Sequence, residues 1–333
     1  MNIWWYKDDK TGHLKQVEVV LDELKKDFSL SIKEINCKKS PFKDILNLLT
    51  AIFFKDKNTN PDILIGAGHN TYLKILADKV RFGGSKTKSI AILKPSIFRS
   101  WFDLICAPEH DYYENYEKNT YTFIGSLAKV IDSIPDKDIG LIAVGGKNKH
   151  YEFSTKEIYN QIEFILNLYQ KKKWYIFNSR RTPPELTERL NSLNGDSINF
   201  IDVENQATNL NEIIGKADIK FVSPDSVNLV FESLSSKGST YLFYLKPKNN
   251  GFMMIRNKKP NVNLPISDGW KFYKNKIIEL MKNLKISRDV GYLELNDIAE
   301  SIKAYSLKKP NTHYQLYAEV EKVAYQISKL IKS

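Results

Sequence analysis

The segment Trp174-Tyr-Ile-Phe-Asn-Ser-Arg-Arg-Thr-Pro-Pro184 has the form of a buried strand that ends in a polar loop and leads into a helix. Thr182 is suited to cap that helix, and Pro183 suits its first turn. Ligands of open α/β sheets bind at the carboxyl ends of the strands, and arginine forks well onto phosphate oxygens. The loop therefore indicates either a site for a phosphate-bearing ligand or, taken alone, a solvated basic turn.

Composition indicates a soluble globular chain. The residues are 42% hydrophobic and 27% charged, and a chain of 333 residues is long enough for two domains. The apolar runs are of strand length, and the first residues do not have the pattern of a signal peptide. The two cysteines, Cys37 and Cys106, are far apart and lack metal-ligand spacing. We therefore expect a cytoplasmic protein, with a peripheral seat on the inner face of the cytoplasmic membrane as a further option.

The formal net charge of +11 allows three kinds of partner: nucleic acid, an anionic membrane surface, or an anionic small molecule. The chain is also rich in lysine, asparagine and isoleucine together, a bias that genome composition alone can produce. Lysine clusters are small, and none resembles a nucleic-acid-binding tail: Lys171-Lys-Lys173, Lys258-Lys259 and Lys308-Lys309. We therefore rank nucleic acid last and expect no nucleic-acid partner.

Strands and helices alternate along the chain, which predicts two doubly wound α/β domains with parallel sheets. The first domain is expected over residues 1–130, with strands at 2–6, 30–35, 62–66, 88–93 and 102–107 and helices at 15–28, 42–54 and 73–80. Residues 109–122 break the pattern and are expected to connect the domains. The second domain is expected over 138–305, with strands at 141–144, 174–177, 198–202, 219–222 and 240–244 and helices at 155–169, 185–193, 209–216 and 228–235. Residues 296–333 are expected to form two helices, of which the last, 312–333, joins the first domain.

Three loops of the second half carry candidate ligand groups. Paired glycines let a backbone approach a ligand, and the start of a helix offers unpaired N–H groups to an anion. Glu232, in the second turn of the predicted helix after Ser226, is suited to accept hydrogen bonds from a vicinal diol such as ribose. Each residue alone also fits a helix cap or a solvated side chain. The candidate set for a nucleotide sugar is Gly145, Gly146, Ser179, Arg180, Arg181, Thr182, Ser226, Asn228 and Glu232.

Loops of the first half supply candidate acceptor-side residues. His13 follows the first strand, where a general base can work near neutral pH, although a surface histidine fits the spacing as well. The run Glu109-His110-Asp111 has poor geometry for a metal, because consecutive side chains point in different directions, so no metal site is expected. The acceptor-side candidates besides His13 are Gly12, Gln16, Gly66, Gly68, His69 and His110.

These segments together resemble the mitochondrial-fission Elm-type family. The resemblance is carried by Gly12-His13 with Gln16, Pro61 to Gly68, Phe102 to Asp111, Gly145-Gly146, Ser179 to Pro183, and Asp225 to Asn228 with Glu232. It implies a GT-B-like fold, in which two Rossmann-like domains face a central cleft. It also implies that Glu232 binds ribose, that Ser226 and Arg180 bind phosphate, and that His13 lies at the reaction centre. The segment Gly66-Ala-Gly-His69 departs from the family pattern, where a Ser-Gly-Arg-like turn is commoner.

The resulting hypothesis is a GT-B glycosyltransferase. It moves a sugar from a nucleoside diphosphate to a lipid-linked or glycan acceptor of the cell envelope, without a metal ion and without a further cofactor. The alternative is a noncatalytic scaffold of the same fold that recruits a protein partner at a membrane. The two hypotheses differ in whether the chain binds a nucleotide sugar.

Overall fold

The computed structural model describes residues 1–56, 60–83, 86–112, 117–204, 208–248, 266–299, 302–311 and 316–332. The chain divides into two compact units. Unit 1 comprises Met1–Lys129 and Ala318–Ser333, and unit 2 comprises Val130–Tyr317. The Lys258-Lys259 cluster, together with residues 312–315 and 333 of the expected last helix, lies outside the described residues.

Unit 1 is built on a six-stranded parallel sheet in the order β2-β1-β3-β4-β5-β6. Its central strand β3 is buried along its whole length, as expected for a parallel sheet that is covered on both faces. The strands are β1 (Asn2–Lys7), β2 (Ser31–Asn36), β3 (Ile63–Ala67), β4 (Lys88–Ile92), β5 (Leu104–Pro108) and β6 (Thr120–Phe123). The helices are α1 (Thr11–Leu24), α2 (Pro41–Thr50), α3 (His69–Phe82) and the last helix of the chain, α9 (Glu319–Lys332).

Unit 2 is built on a seven-stranded sheet in the order β13-β12-β11-β10-β7-β8-β9. All neighbours are parallel except β12 and β13. The strands are β7 (Asp136–Ala143), β8 (Lys173–Phe177), β9 (Ile198–Ile201), β10 (Ala217–Val222), β11 (Ser239–Leu242), β12 (Gly291–Ala299) and β13 (Ile302–Lys308). The helices are α4 (Thr155–Leu168), α5 (Pro184–Asn191), α6 (Leu210–Lys216), α7 (Val227–Leu234) and α8 (Ile266–Ile286). The predicted fold class, two doubly wound α/β units, is confirmed.

Two sequence-based predictions were wrong. Residues 109–122 do more than connect the units, because Thr120–Phe123 forms β6 and extends the first sheet beside β5. Residues 296–299 and 302–308 are not helical, because they belong to the antiparallel pair β12 and β13. In that pair Leu293 lies opposite Leu307 and Leu295 lies opposite Tyr305, so apolar residues recur with the period of two that is typical of strands.

A buried lysine connects the centre of the second sheet to α7. Lys220 of β10 is fully buried, and its ammonium donates to the carbonyl oxygens of Ser233 and Lys237 at 2.9 and 2.7 Å and to the Ser236 hydroxyl at 2.6 Å. These acceptors lie at and just beyond the end of α7, where carbonyl groups lack intrahelical partners. Burial lowers the pKa of Lys220 to about 7. The lysine thereby fixes α7 against the sheet.

No helix in the described ranges combines the length and the apolar character that crossing a bilayer requires.

Candidate functional site

Three loops of unit 2 meet because the strands before them are neighbours. β10, β7 and β8 pair side by side in parallel, so their carboxyl ends share one edge of the sheet. The loops that leave this edge are residues 144–150, 178–183 and 223–226. The sequence predicted ligand groups in each loop, and the structure brings the loops into direct contact.

Asp225 is the centre of these contacts. Its side chain is fully buried, and its Oδ2 accepts from the Gly146 N–H at 3.2 Å and from the Arg181 Nη2 at 2.8 Å. Burial raises the pKa of Asp225, while the Arg181 guanidinium and the Gly146 N–H act in the opposite direction. One carboxylate thus joins the loops after β7, β8 and β10.

The glycine pair is required by the packing of the loops. A Cβ on Gly145 would lie 2.2 Å from an Asp225 carboxylate oxygen, and one on Gly146 would lie 2.0 Å from the Arg181 carbonyl oxygen. The Lys147 N–H also donates to the Arg181 carbonyl at 3.2 Å. The sequence predicted that these glycines admit a ligand, and the structure shows that they admit the neighbouring loops.

Thr182 does not cap the following helix, and this prediction was wrong. α5 begins at Pro184, and Pro183 occupies the position before it. The Thr182 hydroxyl instead donates to the Gly145 carbonyl at 2.6 Å and accepts from the Ser179 N–H at 2.9 Å. Pro183 and Pro184 have no backbone N–H, so neither can donate a capping hydrogen bond to the Thr182 hydroxyl. That hydroxyl connects the loops instead.

The remaining donor-side candidates surround this brace. Arg180 and Arg181 are both exposed, Arg181 over 44% of its side chain. The second terminal nitrogen of Arg181, Nη1, donates to the Lys147 carbonyl at 3.4 Å. Ser226 precedes α7 and its side chain makes no capping hydrogen bond. Asn228 lies in the first turn of α7 and Glu232 in the second, both partly buried. The first-turn N–H groups of a helix attract anions, as arginine side chains do. The loop cluster therefore brings together two kinds of anion-binding group.

A second cluster lies in unit 1 around His13. The helix α1 begins at Thr11, earlier than predicted, so His13 lies in its first turn. Its Nδ1 lies 2.7 Å from Oδ2 of Asp8, whose side chain is 2% exposed. The carboxylate favours the tautomer with the proton on Nδ1, which leaves Nε2 able to accept a proton. Gly68 is required beside this pair, because a Cβ there would lie 2.4 Å from the His13 Nδ1 and 2.5 Å from the Asp8 Oδ2.

His69 is near this pair. It begins α3, and its Nδ1 lies 3.3 Å from the Ser96 hydroxyl. Desolvation lowers the pKa of His69, and the neighbouring charges of Lys10 and His13 act in the same direction. The ring is therefore predominantly neutral near pH 7.

Other acceptor-side candidates have structural roles or lie farther along the sheet edge. Gln16 is buried, and its amide donates to the Gly12 carbonyl at 3.2 Å and accepts from the Leu127 N–H at 3.4 Å. Gly66 lies in β3 against Tyr6, where a Cβ would lie 2.9 Å from a carbonyl oxygen. His110 follows β5, two strands from β3.

Two buried acids of these clusters were not predicted as site residues: Asp8 was not named, and Asp225 was named only as part of a motif. Asp8 directly follows β1, and Asp225 lies three residues after the end of β10. Their positions just past strand ends were the available signal, because that edge collects functional side chains. Among the described residues, no three His, Cys, Asp or Glu side chains come together to hold a metal ion.

Solved structures of low sequence identity share this fold. The S. aureus MnaA–UDP co-structure superposes with a TM-score of 0.50 at 12% identity, covering 99% of this chain and 96% of that one. UDP-GlcNAc 2-epimerase from Methanocaldococcus jannaschii gives 0.47 at 12%, covering 99% and 100%, and Acinetobacter baumannii MurG gives 0.45 at 11%, covering 86% and 84%. The superposition on MnaA and the two parallel-sheet units together give the chain a GT-B-like fold, as predicted.

Sequence comparison gives the family. The family model described as Mitochondrial fission ELM1 matches residues 11–257, and the chain belongs to this family. The uncharacterized protein RP120 of Rickettsia prowazekii (strain Madrid E) is 23% identical, and the alignment covers 99% of this chain and 100% of that protein. The resemblance inferred from the sequence motifs is thereby confirmed.

Proposed function

We propose that the chain is a GT-B-type glycosyltransferase that moves a sugar from a nucleoside diphosphate to a lipid-linked or glycan acceptor of the cell envelope, without a metal ion. The observation that carries the proposal is the brace formed by Asp225, which holds an arginine-bearing loop, a glycine loop and the start of α7 together at the carboxyl edge of the second sheet. Such an edge is where α/β folds bind phosphates.

The donor diphosphate is assigned to this loop cluster. Arg180, Arg181, Ser226 and the first-turn N–H groups of α7 supply positive charge and donors for the phosphate oxygens, which stabilises the leaving diphosphate as charge develops on it. Glu232 is assigned to the ribose hydroxyls, in keeping with its partly buried place one turn into α7. Asp225 positions Arg181, since it bonds that guanidinium from the buried side.

The acceptor proton is assigned to His13. Nε2 takes the proton of the acceptor hydroxyl while that oxygen forms its bond to the anomeric carbon, and the bond from that carbon to the diphosphate oxygen breaks with its electron pair. Asp8 holds the ring in the required tautomer and stabilises the imidazolium that forms. The net charge of +11 supports a peripheral seat at the anionic inner face of the membrane, where a lipid-linked acceptor is available.

Nucleotide binding is the experiment that tests the proposal. The first ligand is UDP, because the MnaA structure is a co-structure with UDP. A ligand at a hundred times its dissociation constant stabilises the folded state by about 2.7 kcal/mol, which a thermal-shift assay detects. Arg180→Ala and Glu232→Gln are expected to remove the shift.

Matched controls come from the same unit. Arg189→Ala and Glu188→Gln change exposed residues of α5 and are expected to keep the shift. His13→Gln is also expected to keep it, because its assigned role is in the transfer step. If no nucleoside diphosphate or nucleotide sugar shifts the folded wild type, the transferase proposal fails and a noncatalytic scaffold becomes the better account.

A further inference from the structure

Helix α2 and the turn after it expose an unusual amount of apolar surface in unit 1. On the helix, the side chains of Phe42, Ile45, Leu46 and Leu49 recur at the spacing of one helical face, and they are 89%, 44%, 60% and 65% exposed. The turn adds three exposed residues: Ile52 (63%), Phe53 (81%) and Phe54 (67%). Single exposed apolar residues are ordinary, but a contiguous group of this size marks an interaction surface. We call residues 42–54 the apolar ridge.

The ridge is held rigidly from its other side. Leu48 and Ala51 are buried in the core beside α3, and the buried Asp44 carboxylate lies 3.4 Å from the Lys74 ammonium of α3. The helix is therefore apolar on two faces, although only one face is needed to pack it on the unit. The second face is left exposed by the described residues.

The charges around the ridge identify its partner. Four exposed lysines accompany it: Lys43 lies within the ridge, and Lys38, Lys39 and Lys55 lie just before and just after it in sequence. Of the two acidic residues from position 38 to position 56, Asp44 is buried and Asp56 is partly buried. A second copy of the chain would place these lysines opposite one another across a two-fold interface, which is unfavourable. An anionic lipid surface supplies the opposite charge and an apolar layer together.

We propose that the apolar ridge docks on an anionic lipid bilayer, with its phenylalanine and leucine side chains in the interfacial layer and the four lysines against the headgroups. This deepens the proposed function, because it assigns the surface that brings unit 1 to a lipid-linked acceptor. Docking itself does not require nucleotide binding, so the two proposals can fail separately.

Vesicle co-sedimentation of the full chain tests this assignment. Wild type is expected to bind vesicles of phosphatidylcholine with phosphatidylglycerol, to bind phosphatidylcholine vesicles at least about tenfold more weakly, and to lose binding as salt rises. Phe42→Ser and the pair Leu46→Ser with Leu49→Ser are each expected to weaken binding by about tenfold or more. The pair Lys39→Glu with Lys43→Glu is expected to do the same on anionic vesicles.

Matched controls are available in unit 2. Ile134 is 89% exposed, like Phe42, so Ile134→Ser removes an equally exposed apolar side chain outside the ridge. Lys171→Glu with Lys173→Glu makes the same change in net charge at another exposed site. Both controls are expected to retain vesicle binding, and far-UV circular dichroism checks that every variant is folded.

Three results would overturn the assignment. If wild type does not co-sediment with anionic vesicles, a membrane is not the partner. If the control variants lose as much vesicle binding as the ridge variants, the ridge is not the docking surface. If sedimentation equilibrium shows a dimer of the wild type, and the pair Leu46→Ser with Leu49→Ser makes it monomeric, a second copy of the chain is the occupant of the ridge. A UDP thermal shift on the same variants separates the proposals, because the nucleotide is assigned to unit 2 and the ridge variants change unit 1.

Discussion

Replacing Asp225 by alanine deletes the carboxylate that joins the three loops of unit 2. The Gly146 N–H is buried and donates to this carboxylate at 3.2 Å, so the variant leaves a buried donor without its acceptor, which costs about 1–3 kcal/mol. The Arg181 side chain is 44% exposed and can be hydrated again, so the loss of its ion pair adds less than about 1 kcal/mol. We therefore expect Asp225→Ala to lower the free energy of unfolding of unit 2 by about 2 kcal/mol.

Asp225→Asn separates the acceptor from the charge. The asparagine keeps an oxygen for the Gly146 N–H and removes a buried charge, so the loss of stability near pH 7 is expected to stay below about 1 kcal/mol. The pH dependence has a definite sign. Burial raises the pKa of Asp225, so the folded state holds this proton more tightly than the unfolded state, and wild type gains stability relative to the asparagine variant as pH falls through the folded pKa.

Urea unfolding followed by circular dichroism measures both differences, with an unchanged slope against urea as the check that the unfolding transition is comparable. Arg181→Ala, Asp225→Ala and the variant with both substitutions form a double-mutant cycle, which isolates the interaction energy of the ion pair. If the alanine and asparagine variants lose equal stability, each by more than about 3 kcal/mol, the ion pair rather than the Gly146 donor holds the loops, and the reasoning is refuted.

Three further changes test other parts of the structure. Lys220 has a folded pKa of about 7, below its value in the unfolded chain, so the unfolded state binds more protons between these values and stability rises with pH. From about pH 7 to about pH 9, the free energy of unfolding of wild type should therefore rise by about 2 kcal/mol relative to that of Lys220→Met, as measured by urea unfolding. The absence of such a rise would contradict the lowered pKa. Gly68→Ala places a Cβ against His13 and requires a φ of +91°, so the NMR chemical shifts of the His13 ring should change, whereas unaltered shifts would separate Gly68 from the pair. Thr182→Val removes the 2.6 Å bond to Gly145 and should cost about 1–2 kcal/mol in urea unfolding, while Thr182→Ser, which keeps the hydroxyl, should cost less.

The strand-and-helix pattern of the two units was predictable because parallel sheets need buried, strand-length apolar runs. Residues 63–65 and 141–144 are such runs, and each lies at the centre of its unit's core. The pair β12 and β13 was not predicted, because its strands are only half apolar and the alternation of Leu293 and Leu295 with Glu294 was overlooked. The period of two is present in these strands, but it extends over few residues in each.

The loops of the candidate site were predictable from chemistry, but their connections were not. Glycine pairs and arginines after strands identify themselves, whereas the contacts among residues 145, 181 and 225 depend on the strand order β10-β7-β8. That order places β10 beside β7, although more than seventy residues separate Ala143 from Ala217. A sequence pattern carries no information on such a neighbourhood until the sheet is assembled.

The two acids that the sequence did not assign to the site have one physical property in common. Asp8 and Asp225 are buried carboxylates, and burying a charge is unfavourable unless a partner compensates for it. Each lies past a strand end against a basic side chain that is partly exposed, His13 in one unit and Arg181 in the other. A basic group that only needed solvation would gain little from such a partner, so the buried acids indicate that the orientation of His13 and Arg181 matters. The acid that follows a strand is therefore the residue to seek when an exposed basic group is the first sign of a site.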